Sequence, residues 1–180
     1  SNISFYCSDI YKAQNPGKFD IIIMRDVIEH IHDQERFMKL IKGFLSSGGK
    51  VFFGFPPWQN PFGGHQQICK SKILSRLPYF HLLPRSAYKI FLKLFGEKHQ
   101  TIEDLLEIKQ TGISIERFEK ILKNTGYSID KKTDYFINPN YETKFGLKPR
   151  KQLKFLALIP WLRNFYITSC YYVVSPKEQA

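Results

Sequence analysis

Residues 19–24 read Phe-Asp-Ile-Ile-Ile-Met, one acid near the start and otherwise only bulky apolar side chains. A short run without polar alternation fits a parallel strand covered on both faces. It stops at Arg25-Asp26, and from Asp33 the pattern changes period. Phe37, Leu40, Ile41, Phe44 and Leu45 recur at helical spacing, behind Asp33 as N-cap and Glu35 near the positive end of the dipole. Ser46-Ser47-Gly48-Gly49 is expected to end this helix, with glycine accommodating a left-handed cap. Residues 51–55 form a second apolar run, closed by Pro56-Pro57. Strand, helix and strand make a βαβ unit. Upstream, residues 3–10 alternate and close on Asp9-Ile10, which predicts another strand.

Residues 58–100 fit no element of that unit. Trp58 to Gln67 is rich in proline and glycine, as loops are. Short helices are predicted over 71–77 and 86–95, separated by Pro78 and Pro84, with Tyr88, Phe91, Leu92 and Phe95 on one stripe of the second. A capping pattern, Thr101-Ile102-Glu103-Asp104, opens a helix to Lys109. Ser114 caps another, which turns Ile115, Phe118, Ile121 and Leu122 inward and ends before Gly126. Residues 127–137 and 166–175 read as the last two strands. Between them, residues 138–165 mix Lys144, Lys148, Arg150, Lys151, Lys154 and Arg163 with Leu153, Phe155, Leu156, Leu158, Ile159 and Trp161.

Polar residues at the C-terminal end of a buried parallel strand are where open α/β sheets place ligands. The stretch Phe19-Asp20 through Glu29-His30, followed by helix, glycine turn, apolar strand and proline loop, resembles the middle of a class I S-adenosylmethionine-dependent methyltransferase of the small-molecule type. That family begins with a Gly-x-Gly-x-Gly loop and an acid that holds the ribose; Gly48-Gly49 and Gly63-Gly64, the doubled glycines here, both lie downstream. The resemblance therefore implies an α/β fold built as an incomplete Rossmann-like methyltransferase sheet, from the family's third strand onward. It implies a single domain over 1–180, a helical lid inserted after the fifth strand (58–100), an antiparallel C-terminal strand pair, and a basic-aromatic insertion at 138–165. About 80–100 residues of the family pattern would precede this chain, judged from ordinary βα-unit lengths. Without its neighbours the sheet would expose an edge open to self-association. The chain alone is then expected to bind the cofactor weakly or not at all.

By the same resemblance the cofactor is S-adenosylmethionine. Asp9 takes the place of the acid that meets the adenine amino group and Ile10 lies against the ring, while Arg25, Asp26 and Val27 pass the methionine portion. Each has a plainer alternative: a strand-end acid for Asp9, a surface ion pair for Arg25. His30 is the first candidate to face the acceptor, since histidine titrates near neutrality and can take a hydroxyl proton; a loop-holding role is the other reading. His65 is the second catalytic candidate, with Pro56, Trp58, Gly64 and Gln66 at the substrate rim. Methyl transfer needs donor and acceptor held in contact, and a base only where the acceptor must lose a proton.

Charge and cysteine content narrow the rest. The net charge of +11 fits either an ordinary cationic surface or attraction to phosphate, on nucleic acid or anionic lipid. The basic residues interleave with aliphatics and aromatics instead of forming Arg-Gly or Lys runs, which favours lipid over nucleic acid. Arg25-Asp26-Val27-Ile28 stands where base-modifying relatives carry Asn/Asp-Pro-Pro-Tyr/Phe. Cys7, Cys69 and Cys170 are dispersed, so neither a disulfide framework nor a Cys-x-x-Cys zinc site is indicated. No metal is expected from sequence spacing. No Gly-x-Ser-x-Gly elbow marks a hydrolase. The expected setting is cytoplasmic, peripheral at a membrane. The expected acceptor is a small molecule, amphiphilic, lipid-linked or sugar-like; the contrasting reading is an interaction module that binds no cofactor.

Overall fold

The computed structural model describes residues 2–13 and 17–177. The βαβ unit forms where the apolar pattern puts it. Strand β1 (Phe19–Arg25) leads through a 3-10 turn at residues 28–30 to helix α1 (Gln34–Lys42) and on to strand β2 (Leu45–Phe55). Asp33 caps α1 by accepting a hydrogen bond from the Arg36 N–H at 3.0 Å. Ser46 to Gly49 do not end the helix as a turn; they belong to β2, whose pairing with β1 shifts register between Phe19 and Ile21. At Gly49 a Cβ would approach the Phe19 carbonyl oxygen to 2.9 Å, so the irregular pairing there requires glycine.

One five-stranded sheet results, in the order β1-β2-β5-β3-β4. β1 and β2 are parallel, whereas β2–β5, β5–β3 and β3–β4 are antiparallel, with β3 at Tyr127–Ile137, β4 at Arg150–Lys151 and β5 at Ser169–Pro176. The last strand starts later than the periodicity predicts, because Arg163–Tyr166 turn helical first. Residues 2–13 contain no strand, which corrects the reading of 3–10 as a sheet member. The covered-strand expectation for 19–24 is also corrected. Among the described residues β1 has a strand partner on one side only, and Ile21 and Ile23 remain 66% and 71% exposed.

The core lies on one face of the sheet. Val51, Phe53 and Phe55 of β2 and Tyr172 and Val174 of β5 meet Phe37, Met38 and Ile41 of α1. Ile115, Phe118, Ile121 and Leu122 of helix α4 (Ile115–Asn124) complete it, all buried as the stripe predicts. Arg163 is pinned by Glu116 (2.9 Å) and Glu119 (3.0 Å), and Asn164 accepts from the Ile115 N–H at 2.8 Å. The end of the second insertion is thereby tied to α4.

Residues 58–98 build a second, smaller cluster. Helix α2 (Arg85–Leu94) buries Tyr88 and Leu92 against Ile102, Leu105 and Leu106 of helix α3 (His99–Thr111). The segment predicted helical at 71–77 is reduced to a 3-10 turn at 74–76. Buried Glu97 closes this unit, accepting from the Lys70 and Ser71 N–H groups at 2.9 and 2.8 Å. Between β3 and β5 lie the short helices α5 (Asn140–Phe145), α6 (Lys154–Ala157) and α7 (Arg163–Tyr166).

Candidate active site

Where β1 ends, the chain turns sharply. Asp26 adopts φ +54°, and its N–H donates to the Gly54 carbonyl at 2.7 Å, tying the ends of β1 and β2 together. The following 3-10 turn has Ile28 anchored in the core, which rolls Glu29 inward and leaves His30 on the outer side. Gln34 holds the turn: its buried amide donates to the Ile28 carbonyl at 3.0 Å and the Thr111 carbonyl at 2.8 Å, joining β1, α1 and α3. A second loop, residues 56–68, crosses above. It presents His65, itself left-handed at φ +54° and ψ +25°. Left-handed backbone outside glycine costs of order 1–3 kcal/mol and collects at functional sites. Two of the four such residues described here, Asp26 and His65, border this one spot.

The His30 and His65 rings meet edge to face, with centroids 5.0 Å apart. The Glu29 carboxylate lies close by, and one ligating atom from each of the three falls within 4.8 Å of the others. Glu29 is 3% exposed, and neither of its oxygens meets hydrogen-bond geometry with a donor. Burial pushes its pKa up to about 8, against the weaker pull of its own backbone N–H. Burial lowers His65 to about 4, and neighbouring His30 adds to the effect. His30 is also lowered by burial, but Asp26 and Glu107 act to raise it. Both imidazoles are thus neutral at pH 7, and His30 keeps the more basic surroundings.

Two cavities lie in the surrounding segments, one of them lined by His30. One of about 230 Å³ lies between His30 and the α3 residues Asp104, Glu107, Ile108 and Thr111. Another, of about 400 Å³, is a mostly apolar groove between the 56–82 segment and the second insertion, lined by Phe62, Gln67, Ser75, Tyr141, Phe145 and Leu147 together with Lys144. Asp26 is raised by burial, with Arg25, Lys144 and His30 pulling it back down.

The remaining predicted site residues fall in different places. Arg25 pairs with Asp26 at 3.9 Å and both are exposed, the surface-pair alternative for Arg25. The Val27 carbonyl accepts from the His30 N–H. Asp9 is exposed in a turn, where its carboxylate accepts from the Tyr11 N–H at 2.9 Å and faces Lys12 at 3.8 Å. Ile10 packs half-buried against the core and lines a cavity of about 380 Å³ with Tyr6, Ser8, Phe19, Ile22 and Met24. Pro56 leaves β2 half-buried.

Three substrate-rim candidates make packing contacts within the protein. Gln66 is fully buried and donates to the Pro61 and Leu77 carbonyls at 2.9 and 3.2 Å, so its amide braces the loop. The Trp58 indole meets the His81 ring edge-on at 4.7 Å and closes over Gly112, where a Cβ would come within 2.4 Å of it. Gly64 lets the loop, not a ligand, come close: a Cβ there would sit 2.1 Å from the His81 Cβ. Glu29 entered the sequence analysis only through the Glu29-His30 step and was given no role of its own. Its signal was an acid framed by Val27-Ile28 and Ile31 just after a strand, a frame apolar enough to bury it.

A mixed sheet with a parallel pair leading into antiparallel strands, and polar groups gathered at the parallel strand's end, is a Rossmann-like α/β arrangement. The chain belongs to the methyltransferase-domain family whose model matches residues 4–131. A 53-residue segment is 36% identical to the ubiquinone biosynthesis O-methyltransferase of Coxiella burnetii, covering 29% of this chain and 23% of that protein. Among solved structures, a SAM-dependent methyltransferase from Thermotoga maritima shares the fold at TM-score 0.51 and 13% identity, over 92% of this chain and 60% of that one. An S-adenosylmethionine-dependent methyltransferase from Clostridium acetobutylicum aligns at TM-score 0.49 and 14% identity, over 96% and 64%. The chain thus spans less than two thirds of the length of each.

Proposed function

We propose that this chain forms the acceptor side of an S-adenosylmethionine-dependent methyltransferase acting on a hydroxyl of a small amphiphilic molecule. Family membership supports the methyl donor. The observation that carries the acceptor side is the pairing of His30 and His65, with His30 lining a cavity and with an apolar groove formed in part by Phe62 and Gln67 of the same loop as His65. The donor, when bound, supplies an electrophilic sulfonium methyl. The described residues offer it a partial seat. The cavity beside Ile10 suits a flat apolar ring, with exposed Asp9 between two of its lining residues, but nothing in that lining suits ribose hydroxyls or an amino-acid end. The sheet in this reading is an incomplete methyltransferase sheet, with β1 at its open edge.

The chain's own residues hold the acceptor and receive its proton. A hydroxyl set between the rings donates to the outer nitrogen of His30, the more basic of the two. Asp26 and Glu107 favour the imidazolium that forms. His65 orients the oxygen, and the apolar tail runs along Phe62, Phe145 and Leu147. Transfer of a radiolabelled methyl from saturating S-adenosylmethionine to a long-chain phenol tests this. His30→Gln is expected to lower the rate by about a hundredfold. An unchanged rate would remove His30 as the base.

The second insertion supports a membrane-peripheral setting. Phe145, Leu153, Phe155, Leu158 and Trp161 are largely exposed, with Lys148, Arg150, Lys151 and Lys154 exposed among them. Apolar side chains ringed by cations favour an anionic lipid interface. No helix among the described residues is long and apolar enough to cross a membrane. Co-sedimentation is expected to be several-fold stronger with anionic than with neutral vesicles, and to weaken for Leu158→Glu. Equal binding to both would end this reading.

A further inference from the structure

We propose that Glu29, His30 and His65 form a binding site for one divalent transition-metal ion of the zinc type. Two imidazoles and one carboxylate are the donor set that borderline cations such as Zn²⁺ prefer, and three protein ligands leave a coordination position open. The three ligating atoms lie within 4.8 Å of one another. Bonds of about 2.1 Å in a tetrahedral shell place ligands about 3.4 Å apart, so a small rotation of each ring closes the site.

The second, independent observation is the carboxylate itself. Glu29 is 97% buried by area, since 3% is exposed, yet both its oxygens lack a donor. A buried carboxylate without a partner is a strong destabiliser, and native chains rarely keep one unless something else satisfies it. Among the described residues no cationic side chain is available for the purpose: Arg25 turns out to Asp26, and the Lys109 ammonium donates to the His81 carbonyl. A bound cation would give both of those oxygens a partner.

The His65 backbone points the same way. Its left-handed conformation is set by the loop that Asn60, Gln66 and the Gly64–His81 contact hold rigid. The strain persists in order to aim this ring at His30. Of the three ligands, His30 lines the cavity of about 230 Å³ beside α3. With an ion bound, a hydroxyl at the open coordination position would ionise more readily and lose its proton to solvent, so that His30 would serve as a ligand and no protein base would be needed.

Zinc affinity is read with neither donor nor acceptor present, so its outcome is independent of methyl transfer. The test titrates Zn²⁺ into the chelator-stripped chain against a chromophoric competitor. One site of micromolar or tighter affinity is expected, weakened at least a hundredfold by Glu29→Gln. His65→Asn, which tolerates the left-handed backbone, is expected to weaken it as much. His32→Ala and Cys7→Ser are expected to leave it unchanged. Co²⁺ substitution should give visible d–d bands without a near-ultraviolet thiolate band. Absence of micromolar binding, affinity that survives both site variants, or a thiolate band would each overturn the proposal.

Discussion

Replacing Phe118 with Ala is expected to lower the unfolding free energy by about 4 kcal/mol. Phe118 is fully buried on α4 and touches three rings: Phe53 at 5.1 Å, Phe55 at 4.7 Å and Tyr172 at 5.0 Å between centroids. Those rings come from β2 and β5, so the side chain joins the parallel and antiparallel halves of the sheet through one helix. Truncation loses the ring's transfer free energy and leaves a cavity that three aromatic walls cannot collapse to fill. Phe118→Leu, which keeps most of the volume, is expected to cost about 1–1.5 kcal/mol. Phe155→Ala, a change at a 64% exposed position, should stay within about 0.5 kcal/mol. Urea unfolding of the three variants checks the ranking. A loss below about 1 kcal/mol for Phe118→Ala would mean that this cluster does not hold the sheet together.

Acidification from pH 7 to pH 4 is expected to withdraw about 3 kcal/mol of stability through His81 alone. His81 is fully buried, and its Nε2 contacts the Trp58 carbonyl at 2.7 Å. Burial lowers its pKa from 6.5 to about 4; the Trp58 carbonyl opposes this, and Lys109 and His65 add to it. The unfolded chain binds a proton through the window from 6.5 down to 4 while the folded chain refuses it. Stability therefore rises with pH across that window and falls as pH drops through it. His65 acts in the same direction, whereas Glu29, raised to about 8, favours the folded chain on acidification from 8 to 4.5. The contrast between the parent chain and His81→Gln isolates the His81 contribution, measured as the difference in their urea midpoints at pH 7 and pH 4.5. Equal pH slopes for the two would show that the His81 ring can reach water and be protonated in place.

The elements built on strong local patterns were legible in the sequence. The α1 and α4 stripes, the Asp33 and Ser114 caps and the βαβ order all follow from side-chain period and capping chemistry. Reading 3–10 as a strand failed because alternation states only that a segment suits a sheet. A strand also needs a neighbour to pair with, and among the described residues none stands beside that segment. Ser46 to Gly49 failed in the opposite sense: two serines and two glycines look like a turn, yet pairing with Phe19 draws them into β2.

The candidate site divides in the same way. Glu29-His30 at the end of an apolar strand was visible in the sequence, because a polar step after a buried run has few other uses. The Trp58-to-Gln67 loop was legible as a loop, from its prolines and glycines. Which of its residues turn inward was not, since Gln66 and His65 are adjacent and equally polar. The sequence alone determined the α/β class, the βαβ unit and the polar end of β1, all of which depend on near-neighbour spacing. Only the tertiary structure decided that His65 meets His30 across 35 residues, that Gln66 braces the loop and that Glu29 is buried close to both rings. Those facts depend on how the loop of residues 56–68 closes over the end of β1, and packing between distant segments leaves no period in a sequence to read.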